Sequence, residues 1–439
     1  MPEINRAIKG TNDVLPKESH KIQFLEKTML ETAKLFGFRE IRVPVFEHTE
    51  VFSRNVGDTT DVVQKEMYTF LDKGGRSITL RPELTAGVVR SSIEHGLIYD
   101  ALPEKVCYIG GCYRYEKPQA GRLREFHQFG IECLGAASPA ADAEVISVAY
   151  QILKKIGIEK ISLEINSIGC PTCRKDYQAA LKEYFEAHFD LICDTCKDRL
   201  CRNPMRVLDC KCPECAKIAK DAPKVIDFLC DDCKEHFDGV KAHLDSAGLK
   251  YTVNPQIVRG LDYYTRTVFE FVSGDIGAQS TVCGGGRYDE LVSQMGGNPT
   301  PALGFGMGIE RLLLLIESNS TPLPDDTTCD LYIATMGDKA ALKATELANA
   351  LRFDGFEIQT DVCGRGLKAQ MKYADKIGAK FSLVLGDDEL TSNSAFIKNM
   401  ATGEKTEAAL DGLGDTLSRL INESALESLT DSVMNQKQF

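Results

Sequence analysis

The sequence predicts an α+β domain built on an antiparallel sheet, interrupted by a helical, cysteine-rich insertion and followed by a smaller α/β domain. Three observations carry this. Period-two patterning at 38–46, 67–70, 77–81 and around 112–132 returns at 256–271. Ten of the sixteen cysteines crowd between Cys170 and Cys233, in a stretch that reads as mostly helical. After residue 328 strands and helices alternate as β-α-β-α-β, the pattern of a parallel sheet.

With 439 residues the chain has room for two or three domains and several cores. Its 43% hydrophobic and 26% charged residues are those of an ordinary globular protein. The start, Met1-Pro2-Glu3-Ile4-Asn5-Arg6, carries no apolar signal-peptide core, and the leucine run Leu312 to Leu315 is far too short for a bilayer. A cytoplasmic protein with no membrane partner is expected. The net charge of -12 argues against wholesale coating of nucleic acid, so any such contact must be local.

A helix is expected over 20–36, with Ile22, Leu25, Met29, Ala33 and Phe36 on one face and Gly37 as its stop. The strand 38–46 carries Pro44, which confines it to a sheet edge or interface. Two short strands flank the turn Lys73-Gly74-Gly75-Arg76. Then Pro82 and Thr85 open a helix, with Glu83 at its start, where a carboxylate ordinarily caps the backbone. Further on, a helix 141–156 and a strand 161–165 precede the insertion, and Gln256 to Tyr264 read as renewed strand. The catalytic-type domain therefore comprises 1–166 and 251–320, with the insertion at 167–250.

Ser318 to Thr328 read as a linker by composition. The domain beyond it, 329–424, should hold strands at 330–335, 356–360 and 381–385 and helices at 338–353 and 366–378. Arg365, Lys368, Lys372, Lys376 and Lys380 recur there at three- and four-residue spacing, a basic stripe if the segment is helical. Residues 425–439 are polar and are expected to form a flexible tail.

The cysteines form four C-x-x-C pairs, Cys170/Cys173, Cys193/Cys196, Cys212/Cys215 and Cys230/Cys233, with Cys201 and Cys210 left over. Each pair can place two thiolates on one metal, so four pairs suit two structural Zn²⁺ sites. Reduced thiols are the alternative reading; disulfides are disfavoured in a reducing compartment.

Two segments carry the chemistry. Cys112-Tyr113-Arg114-Tyr115-Glu116 leads through a loop with Pro118, Gly121 and Arg122 into Phe126-His127-Gln128-Phe129-Gly130-Ile131-Glu132. A strand, loop and returning strand would put Arg114 and Glu116 on one face and Gln128, Gly130 and Glu132 on the face beside it. The second segment, Gly304-Phe305-Gly306-Met307-Gly308-Ile309-Glu310-Arg311, opens an apolar run. Guanidinium forks suit phosphate oxygens, and carboxylates suit an amine or a ring N–H, so one surface can hold a nucleoside triphosphate beside a cationic small molecule.

These segments resemble motifs 2 and 3 of class II aminoacyl-tRNA synthetases, and the helix followed by the Pro44 strand resembles motif 1, which in that family builds a homodimer interface. Val258-Arg259-Gly260-Leu261-Asp262-Tyr263-Tyr264 and Cys283-Gly284-Gly285-Gly286-Arg287-Tyr288-Asp289 look like the two signature segments of histidyl-tRNA synthetases. The resemblance, which also takes in Lys9-Gly10-Thr11-Asn12-Asp13 and Arg81-Pro82-Glu83, spans nearly the whole chain.

It implies ATP-dependent activation of L-histidine to histidyl-adenylate, then transfer to the 3′-terminal adenosine of tRNA(His) with release of AMP and pyrophosphate. Arg114 and Arg259 would act on the α-phosphate, Glu116 and Phe126 on adenine, and Arg122 and Arg311 on the outer phosphates, with Mg²⁺ accompanying ATP. Glu83, Thr85 and Gln128 would take the amine, and Glu132 and Tyr264 the ring, with Tyr263 and Tyr288 beside them. Tyr263, Tyr264 and Tyr288 also read as core aromatics with a polar tip, and Gly284 to Gly286 as a close backbone approach beside the pocket. The terminal domain resembles an anticodon-binding domain, which makes the basic stripe a candidate tRNA contact. A non-catalytic regulatory paralogue is the competing reading, but such relatives lose the motif arginines or the terminal domain. A zinc-dependent nucleic-acid module accounts for the cysteines alone.

Overall fold

Leu25, Met29, Thr32 and Ala33 are buried along the helix Pro16–Leu35, one apolar stripe laid on the main sheet. The structure, a computed structural model, describes residues 6–53, 60, 62–208, 210, 212–275, 280–324 and 329–436. The expectations for the first five residues, the end of the linker and the last three residues fall outside these. The chain divides into two compact units, Met1–Pro324 and Asp325–Phe439.

The first unit is organised by an eight-stranded sheet. Its order is Arg39–Glu40, Glu104–Tyr113, Glu125–Leu134, Ala302–Gly308, Thr281–Arg287, Thr265–Val272, Ser162–Ser167, Thr252–Val253. The interior pairs are antiparallel and only the two edge pairs are parallel. One face is covered by the helices Pro16–Leu35, Pro139–Ile156 and Ile309–Ser318, whose Met29, Ile146, Ile152 and Leu312 share a core with Phe129, Phe269 and Phe305 of the strands.

The expected strand 38–46 is two pieces. Arg39–Glu40 edges the large sheet, whereas Phe46–His48 pairs with Ser77–Leu80, which also receives Tyr68–Leu71, in a separate three-stranded sheet. Pro44 lies at the break, where it has no N–H to lend a ladder. Arg114 and Glu116 lie beyond the strand, which stops at Tyr113, in a loop narrowed by the Gln119–Arg122 bridge. Residues 256–264 are not strand, and the reason is visible in the side chains. A strand would send Tyr263 and Tyr264 to opposite faces, yet both rings are buried in one cluster with centroids 4.8 Å apart.

The insertion is helical, with helices Pro171–Glu186, Asp194–Arg202, Pro213–Lys220 and Asp231–Ser246. It shares a core with the signature segments of the first unit: Tyr177, Leu181, Phe185 and Leu200 pack in the cluster that holds Tyr263, Tyr264 and Tyr288. A buried ion pair anchors its last helix nearby. Arg287 donates to Asp142 at 2.9 and 2.6 Å, and His236 of that helix lies 3.3 Å from the same carboxylate.

In the second unit the three expected strands, observed as Leu331–Thr335, Ile358–Thr360 and Phe381–Leu385, are parallel as predicted. Two more, Ser394–Asn399 and Lys405–Ala409, extend the sheet antiparallel as a hairpin. The final helix Leu413–Gln436 carries regular backbone into the stretch expected to be a tail. Among the described residues no helix is long and apolar enough to cross a membrane.

Candidate active site and cysteine tetrads

The strand Glu125–Leu134 alternates as the sequence predicts. Gln128 lines a cavity in the first unit, and Glu132 lies further along on the same face. Opposite them in register stand Gly308 against Gln128, Gly306 against Gly130 and Gly304 against Glu132. Of these three, the pairing itself requires glycine at Gly304. A Cβ on Gly304 would overlap the Glu132 carboxylate, and one on Gly306 would sit 3.5 Å from Gln128 Nε2. Gly130 is bare for a similar reason, because the Tyr108 ring occupies the space its Cβ would take.

Four arginines, Arg114, Arg122, Arg259 and Arg311, line this cavity together with Glu83, Thr85, Glu116, Phe126, Gln128, Tyr263 and Tyr264. Arg114 lies over the Phe126 ring, 5.2 Å from its centroid, and donates Nε to the Pro82 carbonyl at 2.8 Å. Glu116 is 2.9 Å from Arg122. Arg311 donates Nε to Gly121 O at 3.1 Å and Nη1 to Thr281 O at 2.8 Å, which tethers the motif 2 loop to the glycine-rich strands. Burial lowers the Arg311 pKa, and repulsion from Arg122, Arg114 and Arg259 lowers it further, with Glu116 opposing. The site therefore concentrates positive charge against its own preference, an arrangement suited to a polyanion.

Arg259 is paired with Glu270, whose other oxygen accepts from Thr281 Oγ1 at 2.8 Å. Burial works against the Arg259 charge, but Glu270 and Tyr264 overcome it and raise its pKa. Gly284 lies under the guanidinium: a Cβ there would meet Arg259 Nη2 at 2.5 Å. The close-approach reading of Gly284 to Gly286 thus has its atoms, since a Cβ on Gly285 would strike the backbone of Gly304 and Phe305.

Glu83 both lines the cavity and caps a helix. Its carboxylate accepts from the Thr85 and Ala86 amides at 2.7 and 2.8 Å, and burial raises its pKa. Glu132 and Tyr288 lie one layer behind the lining. The Glu132 oxygens accept from Thr85 Oγ1 at 2.7 Å, Tyr108 Oη at 2.8 Å and the Tyr288 hydroxyl. Glu132, which the resemblance places at the ring, is engaged here by these three hydroxyls. Burial pushes the Glu132 carboxyl up to about 8 despite the three donors.

Sequence reasoning missed Glu270, Tyr108 and the lock between Glu310 and His127, whose backbone N–H and Nδ1 both lie 2.9 Å from the Glu310 carboxylate. Glu270 had a signal, a charged residue alternating inside an apolar strand. The His127 contact spans 183 positions and had none.

The cysteines pair differently from the sequence expectation. Cys170 and Cys173 join Cys230 and Cys233, the first pair with the last. The second tetrad is Cys193, Cys196, Cys210 and Cys215, so Cys210 stands where Cys212 was expected. Cys212 is the N-cap of the helix Pro213–Lys220. In each tetrad all four sulfurs lie within 4.8 Å of one another, and Cys170 and Cys193 lie 3.6 and 3.8 Å from Cys173 and Cys210 respectively. Among the described residues no cysteine is in a disulfide.

The basic stripe is shorter than predicted. Its helix is Leu367–Lys376, with Lys368, Lys372 and Lys376 on it. Arg365 precedes the helix, paired with Asp361 and stacked on Tyr373, and Lys380 lies beyond it, 2.9 Å from Asp330.

Comparison with known proteins shows the family. The family model described as histidyl-tRNA synthetase matches residues 10–172 and 216–312, and that of an anticodon binding domain matches 330–420. The histidine–tRNA ligase of Caldanaerobacter subterraneus subsp. tengcongensis is 55% identical over 408 residues, 93% of this chain and 98% of the relative. That of Acetivibrio thermocellus is 54% identical over 410 residues, again covering 93% and 98%. The apo histidyl-tRNA synthetase of S. aureus superimposes with a TM-score of 0.80 at 41% identity, covering 94% of this chain and 99% of that one. A Bacillus halodurans protein described as an ATP phosphoribosyltransferase regulatory subunit/histidyl-tRNA synthetase has a TM-score of 0.60 at 23% identity, covering 85% and 97%, a likeness of fold alone. On the family match and on identity over nearly its whole length, the chain belongs to the histidyl-tRNA synthetases, within the class II aminoacyl-tRNA synthetases.

Proposed function

We infer that this chain, an aminoacyl-tRNA ligase by its family, activates L-histidine with ATP in the cavity described above and passes the histidyl group to tRNA(His). One observation carries the residue-level reading. Arg114, Arg122, Arg259 and Arg311 line the same cavity as Glu83, Thr85 and Gln128, so a polyphosphate and an ammonium each find their complement there. A regulatory paralogue that has lost the motif arginines would not bring these four guanidiniums to one cavity.

The histidine carboxylate attacks the α-phosphorus of ATP; an O–P bond forms as the bond to pyrophosphate breaks. Arg114 and Arg259 offset the charge where two anions must approach, a positioning and electrostatic task that needs no strong base. Phe126 supplies a ring face for adenine and Glu116 an acceptor for its amino edge. Arg122 and Arg311 take the outer phosphates. Glu83, Thr85 and Gln128 hold the amine, and Tyr264 stands by the ring. Glu132 acts through the hydroxyls of Thr85, Tyr108 and Tyr288. The tRNA 3′-terminal hydroxyl then attacks the acyl carbon and AMP leaves.

Class II synthetases use a divalent metal with ATP, and Mg²⁺ would neutralise phosphate charge here. Glu310, a cavity-lining carboxylate engaged by His127 rather than by arginine, fits as its protein ligand. The cysteine tetrads suit Zn²⁺ in a structural capacity. Homodimerisation through the first unit is supported by the exposed Phe46 and Phe70, which share one face of the small sheet, an apolar patch that a second copy would cover. Lys368, Lys372 and Lys376 are the local basic surface offered to tRNA. With no membrane-crossing helix among the described residues, the reading is of a cytoplasmic translation enzyme.

ATP–pyrophosphate exchange with the intact chain across a panel of amino acids tests this. Exchange with histidine alone is expected; exchange with another amino acid, or none with histidine, would overturn it.

A further inference from the structure

Each C-x-x-C pair of the insertion opens a helix. Cys170, Cys193, Cys212 and Cys230 are the N-cap residues, and Cys173, Cys196, Cys215 and Cys233 stand one turn in. The backbone amides there point at sulfur: Cys230 N donates to Cys173 Sγ at 3.1 Å, and Cys193 N to Cys215 Sγ at 3.2 Å. All four sulfurs of each tetrad lie within 4.8 Å of one another, the spacing of ligands around a single metal ion. The 3.6 and 3.8 Å Sγ separations match the roughly 3.8 Å edge of a tetrahedron with zinc–sulfur bonds of about 2.3 Å.

What these tetrads hold in place is the second observation. Residues 258–264, which carry Arg259, Tyr263 and Tyr264, have no strand ladder of their own and are gripped from the insertion. Arg174, next to Cys173, donates Nη1 to the Tyr264 carbonyl at 3.0 Å. Gly169, next to Cys170, accepts from the Arg266 amide at 2.9 Å. Between Cys196 and Cys210, a segment closed at both ends by the second tetrad, Arg206 donates Nη2 to Gly260 O at 2.9 Å and to Asp262 Oδ1 at 2.8 Å. Asn203 adds a contact to the same Asp262 oxygen at 3.4 Å.

We propose that the two tetrads are structural zinc sites that fix the loop 258–264 through Arg174 and Arg206, so that metal occupancy sets histidine affinity although the metal touches no substrate. Arg174 and Arg206 are positioning residues. The proposal rests on the zinc reading given above and adds its consequence for the cavity. It also accounts for the nested connectivity: joining the first pair to the last ties both ends of the insertion at one point, beside Tyr264.

The test uses the full-length protein. Metal analysis of the purified chain should find about two zinc ions per chain, about one in Cys210→Ser and about two in Cys212→Ser. Less than about 0.2 zinc per chain, iron in its place, or equal loss in Cys210→Ser and Cys212→Ser would overturn the metal assignment. Arg206→Ala should keep its zinc and raise the KM for histidine about tenfold in pyrophosphate exchange, with the KM for ATP within about twofold, the effect of losing charged hydrogen bonds to the loop. Arg206→Lys should recover much of that loss. Unchanged histidine KM in a zinc-replete Arg206→Ala protein would overturn the coupling while leaving the zinc standing. Loss of histidine-dependent exchange in the unaltered chain would instead strike the synthetase reading itself.

Discussion

Gly284→Ala isolates the geometry of the cavity from its composition. The added Cβ would lie 2.5 Å from Arg259 Nη2, 2.6 Å from Nη1 and 2.7 Å from Cζ, where ordinary contact begins near 3.4 Å. The guanidinium must therefore retreat by about 1 Å, which its flexible stem permits but its bond to Glu270 resists. A displacement of that size at a group acting on the transition state costs on the order of 10²-fold. Single-turnover formation of histidyl-adenylate should fall by about that factor, while thermal melting stays within a few degrees, because the atom displaced is the end of a side chain and not backbone. The double variant sharpens the claim. In an Arg259→Ala background, Gly284→Ala should change the rate by less than about twofold, since the clash has lost its partner. Equal effects of Gly284→Ala with and without Arg259 would refute the reasoning. Gly285→Ala serves as contrast: its Cβ would strike the Gly304 carbonyl, so it should damage folding rather than the rate alone.

Other outcomes follow from the same geometry. Glu132 keeps its proton to about 8 in the fold against an ordinary value of 4.5. Its contribution to stability is thus complete below about 4.5 and is lost as pH rises through about 8, so Glu132→Gln should flatten the decline in melting temperature over that window. A difference between the two proteins that does not vary with pH would contradict this. Asp142→Ala strands the buried Arg287 charge and should cost about 3–5 kcal/mol in denaturant unfolding; a loss under about 1 kcal/mol would mean that the pair is dispensable. Replacing Lys368, Lys372 and Lys376 together by Gln should weaken tRNA(His) binding without altering pyrophosphate exchange. The salt slope of that binding should fall by about one for each phosphate no longer neutralised, and an unchanged slope would remove the stripe from the tRNA interface.

Much of this site was readable because it is local. The alternation of Gln128, Gly130 and Glu132 and the answering glycines at 304, 306 and 308 are period-two patterns, and pairing put them in register. What escaped is long-range or irregular. Arg287 finds Asp142 145 positions away, and nothing in either neighbourhood announces the partner. The loop 256–264 looked like a strand because it is apolar and aromatic, but its residues are fixed by the insertion and by Glu270 rather than by a ladder. The cysteine spacing correctly suggested two tetrads, yet Cys210 replaces Cys212 because the three-dimensional path after Cys196, and not the C-x-x-C spacing, brings sulfur to sulfur.

The proposed function places the Arg259 guanidinium between the histidine carboxylate and the α-phosphate. The most direct measurement is single-turnover histidyl-adenylate formation by Arg259→Ala, with tRNA(His) binding followed in parallel. A rate lowered by about 10²–10³ with tRNA affinity nearly unchanged is expected, the scale of one lost transition-state charge donor. An unaltered rate, or a loss matched by failed tRNA binding, would contradict it.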